Sequence, residues 1–196
     1  MANRKPRVGE IRPGGRTSEV RNAVAAAVLD FIKDGNFRFS YQDLAEASHI
    51  HRTTIYRRWP ERADLMREAM RVHNRKFTIK TRESWHDNAE AIVRGLARFL
   101  SNPTELAINR ALFADPQTDE SRIAIAYWEP IQASLRDIVV RAQQVGELPV
   151  DLDPQALIMT LVSPILVNTV LGAPPGDEKK FIEDLIAIAR SHGIHR

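Results

Sequence analysis

From Ser40 to Pro60 the chain reads SYQDLAEASHIHRTTIYRRWP. Ser40, His51, Arg52, Thr53, Thr54, Tyr56, Arg57, Arg58 and the nearby Arg62 crowd hydrogen-bond donors and positive charge into one short stretch. A guanidinium presents paired N–H groups that match the acceptor edge of guanine or two phosphate oxygens. Hydroxyls serve phosphates or bases. The chemistry open to such a set is recognition of a polyanion. Taken singly, these arginines read as solvated surface charge, so their meaning depends on the element that carries them. Other chemistries find less support. His49 and His51 stand two apart, which puts them on different sides of a helix, and no third ligand is spaced to join them or Asp43. The chain has no cysteine, which removes thiolate metal sites, disulfides and cysteine nucleophiles. There is no Gly-rich phosphate loop and no nucleophile elbow. No metal, no cofactor and no enzymatic activity is expected.

Those donors are positioned by a pair of short helices. Ser40 suits an N-cap, and the first helix runs to Ala47. Ser48-His49-Ile50 forms a tight turn, and a second helix from His51 to Trp59 is stopped by Pro60. Leu44, Ile50 and Ile55 point inward to join the two, and Ala45 is small enough for close approach. Trp59 reads as a packing anchor. Two helices of about two turns joined by three or four residues describe a helix-turn-helix. Such a pair has no core of its own, so the flanking helices must complete it. Before it, Val20, Val24, Ala27, Val28, Phe31 and Ile32 recur at helical spacing from Ser18, with Gly35 as the stop. After it, a helix from Glu61 to about Lys80 carries Leu65, Met66, Ala69, Met70 and His73 along one side.

The remainder is helical too. Helices are predicted over Ser84–Leu100, Pro103–Ala114 and Thr118–Val145, the last with a kink at Pro130. Two more follow: Pro154–Leu171, capped by Asp153, and a final amphipathic one capped by Asp177. No window alternates as a strand. The fold class is all-α with about nine helices. It divides into a basic arm over 1–17, a helix-turn-helix domain over 18–80 and a larger helical domain over 81–196.

Composition agrees with a soluble globular protein: 43% hydrophobic and 27% charged. The net charge of +3 is small, but residues 1–62 hold 12 Lys and Arg against 7 Asp and Glu, while the remainder holds 16 against 18. Attraction for a polyanion therefore belongs to the first third. Gln155–Gly176 carries no charge and is long enough to suggest a membrane span. Thr160, Ser163, Pro164, Asn168 and Thr169 put a half-polar stripe along it, which better fits burial between protein surfaces. A homodimer through 154–171 and 177–191 is expected, with no membrane partner. The basic, polar N-terminus lacks the apolar core of a signal peptide, so the expected location is the cytoplasm.

The stretch Phe37–Met66 resembles the DNA-binding domain of TetR-type repressors. The matching features are Ser40, the pair Leu44-Ala45 and the ending Ile55-Tyr56-Arg57-Arg58-Trp59-Pro60, with Arg62 where that family has lysine. Two positions depart from the pattern: His49 stands at the turn glycine, and His51 stands where a serine caps the second helix. The resemblance implies that Arg52, Thr53 and Arg57 read bases and that Ser40, Tyr56, Arg58 and Arg62 hold phosphates, with His51 and Thr54 completing the contact set. It further implies double-stranded operator DNA of palindromic sequence as partner, bound by a dimer, and a small hydrophobic effector that releases it. Each of Trp85, Phe99, Phe113, Tyr127, Trp128 and Met159 alone reads as core. As a set they are the expected lining of an effector cavity. A helical enzyme or small-molecule carrier, or a constitutive DNA-binding scaffold without effector, are the alternatives.

Overall fold

The computed structural model describes residues 15–172 and 177–193. Among them are nine helices and no strand: α1 (Gly15–Lys33), α2 (Tyr41–Ser48), α3 (Arg52–Arg58), α4 (Arg62–Asn74), α5 (Trp85–Leu100), α6 (Pro103–Ala114), α7 (Asp119–Gln144), α8 (Pro154–Leu171) and α9 (Glu178–Ser191). All but the last few residues of the expected basic arm lie outside the described residues.

Local chemistry sets most boundaries. The Ser40 hydroxyl accepts from the Asp43 N–H at 3.1 Å, and the Asp43 carboxylate accepts from the Ser40 N–H at 2.8 Å. This capping box satisfies two donors at the start of α2. The same two hydrogen bonds, the backbone one foremost, hold the Asp43 carboxyl below its usual range. Ser84, Asn102, Thr118, Asp153 and Asp177 cap α5 to α9 with their side chains. His51 caps α3 without a side-chain hydrogen bond, as befits a poor capping residue. α7 runs unbroken through Pro130.

One boundary differs from the sequence expectation. α4 ends at Asn74 rather than near Lys80. The chain leaves it because Phe77 and Ile79 pack into the apolar core of α5 and its neighbours. Phe77 meets Phe99 edge to face at 5.0 Å. Ile79 comes so close to Gly95 that a β-carbon there would stand 3.2 Å from its side chain. An uninterrupted helix could not deliver both residues to that core.

The apolar interior forms two clusters. One is built by α1 to α4 around Val24, Val28, Leu44, Ile55, Trp59 and Leu65, and it also takes in Ile108 of α6 and Ile123 of α7. The other joins α5, the second half of α7, α8 and α9 around Trp85, Leu96, Leu135, Leu157 and Leu185. α6 and the start of α7 are thus packed against the helix-turn-helix unit, and α7 runs from one cluster into the other. α8 is the one helix among those described that is long and apolar enough to cross a membrane, with a mean hydropathy of 1.6. It contributes Leu157, Ile158, Leu161, Val162 and Ile165 to the second cluster. Only 28% of it is buried, which leaves an apolar face uncovered among the described residues.

Candidate nucleic-acid interface

α2 and α3 are locked by Leu44 and Ile55, both fully buried. Between them His49 adopts φ 57°, ψ 27°. It is the only non-glycine residue with positive φ among those described, and histidine tolerates that region better than bulky or branched residues. The Ser48 hydroxyl donates to the Leu44 carbonyl at 2.6 Å, closing the end of α2.

α3 has two sides. Ile55 and Trp59, four residues apart, face the core. Arg52, Thr53, Tyr56 and Arg57 stand on the opposite side, exposed, with His51 and Arg58 also exposed and Thr54 half-buried. Tyr56 is 58% exposed; its ring is met edge-on by that of Tyr41 at 5.6 Å. The Tyr41 hydroxyl donates to the Trp59 carbonyl at 2.7 Å. Burial, with help from nearby Tyr56 and Asp64, raises the Tyr41 hydroxyl above its usual value, so it stays a donor. This bond ties α2 to the end of α3 and holds Trp59 in the core. Ser40 is exposed at the start of α2. Arg58 extends toward the first turn of α1, where its guanidinium lies 3.5 Å from the Thr17 carbonyl.

Arg62 does not join this face. Its Nη1 donates to the Phe39 carbonyl at 2.7 Å, its guanidinium lies 4.3 Å from the centre of the Phe39 ring, and its Nε lies 3.4 Å from the Glu120 carboxylate of α7. Its Nη2 is buried without a hydrogen-bond partner among the described residues. The side chain expected at a phosphate instead fastens the helix-turn-helix to α7. A second clamp joins α1 to α4. Arg21 donates twice to Glu68, both at 3.0 Å, and Arg71 pairs with the same carboxylate. Burial pushes the Glu68 carboxyl up, but the hydrogen bonds and charges of Arg21 and Arg71 outweigh it, and the net shift is downward.

Behind this unit, α4, α6, α7 and α8 line a half-open cavity of about 460 Å³. Phe113, Trp128 and Met159 line it. Phe99 does not reach it but stacks on Trp128, with centroids 6.2 Å apart. Tyr127 opens instead on a recess across α7, beside Arg71 and Ile131. Trp85 lies in neither; it is buried in the second cluster, where its indole N–H donates to the Ala189 carbonyl at 2.9 Å. The sequence reading missed a polar group in the cavity wall. Glu105 of α6 is buried; one carboxylate oxygen lies 2.8 Å from His73 Nε2 and the other accepts from Asn109 Nδ2 at 2.9 Å. Glu105 and Asn109 line the cavity, as do Asn74 and Gln132. Among the described residues, no group of three or more His, Cys, Asp or Glu side chains is placed to hold a metal ion.

Residues 80–189 match the family profile described as Tetracyclin repressor-like, C-terminal domain. A protein of Mycobacteroides abscessus, described as a DNA-binding transcriptional repressor TetR, is 27% identical over 182 residues, which cover 87% of this chain and 94% of that protein. The crystal structure of a TetR transcriptional regulator from Agrobacterium tumefaciens superposes with a TM-score of 0.76 at 18% identity, covering 94% of this chain and 97% of that one. The transcriptional regulator FadR from Bacillus subtilis, solved in complex with stearoyl-CoA, superposes with a TM-score of 0.68 at 13% identity, over 89% of this chain and 99% of its own.

Proposed function

This chain belongs to the TetR family of transcriptional regulators, and we propose that it binds a palindromic operator as a homodimer and is released from it by a small, largely apolar effector. The observation that carries the DNA reading is the division of α3. Its inward side is sealed by Ile55 and Trp59, while Arg52, Thr53, Tyr56 and Arg57 stand exposed on the other. In this reading Arg52, Thr53 and Arg57 reach base edges in the major groove, and Ser40, Tyr56 and Arg58 hold phosphates, with His51 and Thr54 beside them. Arg62 fixes the orientation of the reading head.

The dimer is formed by α8 and α9. Val167 and Leu171 of α8 and Ile188 of α9 are exposed apolar side chains, and a four-helix contact between two copies would bury them symmetrically. The cavity supports effector control over a constitutive scaffold, since 460 Å³ lies in the size range of small-molecule sites. Met70 and Asn74 carry its wall onto α4, and α4 begins at Arg62, two residues beyond Pro60. A ligand that prefers a shifted α4 moves the head, and two major-groove readers must stay one helical turn apart, about 34–36 Å, or a multiple of it. Ligands with equal affinity for both states would move nothing. A coupling of about 1–3 kcal/mol weakens operator binding roughly 5–150-fold.

Nuclease footprinting of the purified protein on the DNA flanking its own gene tests the reading. Two protected half-sites on one face of the duplex are expected. Uniform protection without half-sites would contradict it.

A further inference from the structure

Among the described residues, Glu105 is the one charged side chain in the wall of the cavity; no lysine, arginine or histidine lines it, and most of the lining is apolar, with Leu100, Ile108, Trp128 and Val162 among it. A buried carboxylate is expensive unless its oxygens are satisfied. Here each oxygen has one protein partner, His73 Nε2 at 2.8 Å and Asn109 Nδ2 at 2.9 Å. A carboxylate offers about four acceptor sites, so acceptor capacity remains on this residue of the cavity wall. The Asn109 amide nitrogen is already spent, since it serves both the backbone carbonyl and the carboxylate of Glu105.

Resting on the effector reading above, we infer that the cavity selects molecules with an apolar body and one hydrogen-bond donor, an amine or a hydroxyl, which Glu105 receives, and that it rejects apolar carboxylates and other anions. An anion would meet the Glu105 charge at short range with no cation in the wall to offset it, and in a poorly solvated site like charges repel strongly. An amine or alcohol leaves its apolar part against the aliphatic and aromatic wall and gives the carboxylate the donor it can still accept. The same carboxylate also links α6 to α4 through His73. A ligand donor therefore joins His73 on one shared carboxylate, and the chemical group that is selected is sensed by the helix that carries the reading head.

The test uses the full chain and three probes of one chain length: decylamine, 1-decanol and decanoate, each below its solubility limit or micelle concentration. Affinities are measured by titration calorimetry on wild-type protein and on Glu105→Gln. Operator affinity is followed in parallel by fluorescence anisotropy. The amine and the alcohol bind wild-type protein at least about tenfold tighter than decanoate, and Glu105→Gln shrinks that preference to within about threefold. The wild-type series needs no variant, so it decides the matter even if Glu105→Gln, having lost the charged partner of His73, folds poorly. Decanoate binding as tightly as the amine and alcohol overturns the inference, as does the absence of binding by any probe. If amine and alcohol bind selectively while operator affinity stays unchanged, the selectivity of the cavity stands and the release reading falls.

Discussion

Replacing Arg62 by alanine separates two roles that a basic residue next to a helix-turn-helix can play. As a phosphate contact it would add about one unit to the slope of log affinity against log salt. As the junction found here it would leave that slope alone and support the fold. The magnitude follows from its contacts. A charged hydrogen bond such as that to the Phe39 carbonyl, 2.7 Å long, is worth about 1.5–3 kcal/mol. The contact with the Phe39 ring at 4.3 Å adds roughly 0.5–1 kcal/mol. The ion pair with Glu120, each side chain about a third exposed, adds about 1 kcal/mol at most. Against these stands the buried Nη2 without a partner, a penalty of about 1–3 kcal/mol that truncation removes. The net loss for Arg62→Ala is about 1–3 kcal/mol, and for a chain of this size each kcal/mol lowers the melting temperature by about 2–4 °C. Calorimetric melting should fall by roughly 2–12 °C, while anisotropy titrations at 10 °C across a salt series keep the wild-type slope. Arg58→Ala should do the reverse, lowering the slope by about one with little change in melting. A slope reduced by one in Arg62→Ala with unchanged melting would refute the junction role and return Arg62 to the phosphates.

Three further outcomes follow from the same contacts. Arg52→Ala should cost about 1–3 kcal/mol of operator affinity and relax preference at a single base pair, which mobility shifts on a set of singly substituted operators would reveal; a uniform loss across the set would speak against base readout. Val167→Arg or Ile188→Arg, at exposed positions of α8 and α9, should yield folded monomers by light scattering with lost operator binding, whereas Ile186→Arg, at a site 3% exposed, should unfold the chain. Glu68 is held below the usual carboxylate range by Arg21 and Arg71 despite its burial. Its stabilising contribution is therefore complete above the unfolded-state value and is lost as pH falls through the lower folded-state value; Glu68→Gln should flatten that acid limb of a stability-against-pH curve, and an unchanged limb would count against the clamp.

The helix-turn-helix was legible because its determinants are local. Ser40 and Asp43 cap α2 within one turn, Pro60 stops α3, and Leu44 and Ile55 both point inward, one from each helix. His49 could be assigned the left-handed turn because few other side chains tolerate it. What stayed hidden depends on partners far along the chain. Arg75 and Lys76 continue a plausible helical surface, so only the burial of Phe77 and Ile79 against α5 shows why α4 ends at Asn74. Arg62 carries its charge wherever it points, and Glu120, 58 residues on, turns it inward. Trp85 resembles any other large aromatic until its indole is seen to bond Ala189, 104 residues away. Glu105 sits in the first turn of α6, where an acid normally complements the helix dipole at the surface. Its burial comes from His73 and Asn109 on either side, and no window of sequence around it displays that.

On the reading proposed above, the exposed face of α3 reads DNA sequence for a regulator of this family. That reading is tested by selecting duplexes from a random pool with the wild-type protein, then comparing affinity for the selected and a scrambled duplex between about 50 and 200 mM salt. An enriched palindrome is expected, with at least about 10³-fold tighter binding to it and affinity that falls steeply as salt rises. No enriched sequence, or equal and salt-insensitive affinity for both duplexes, would contradict it.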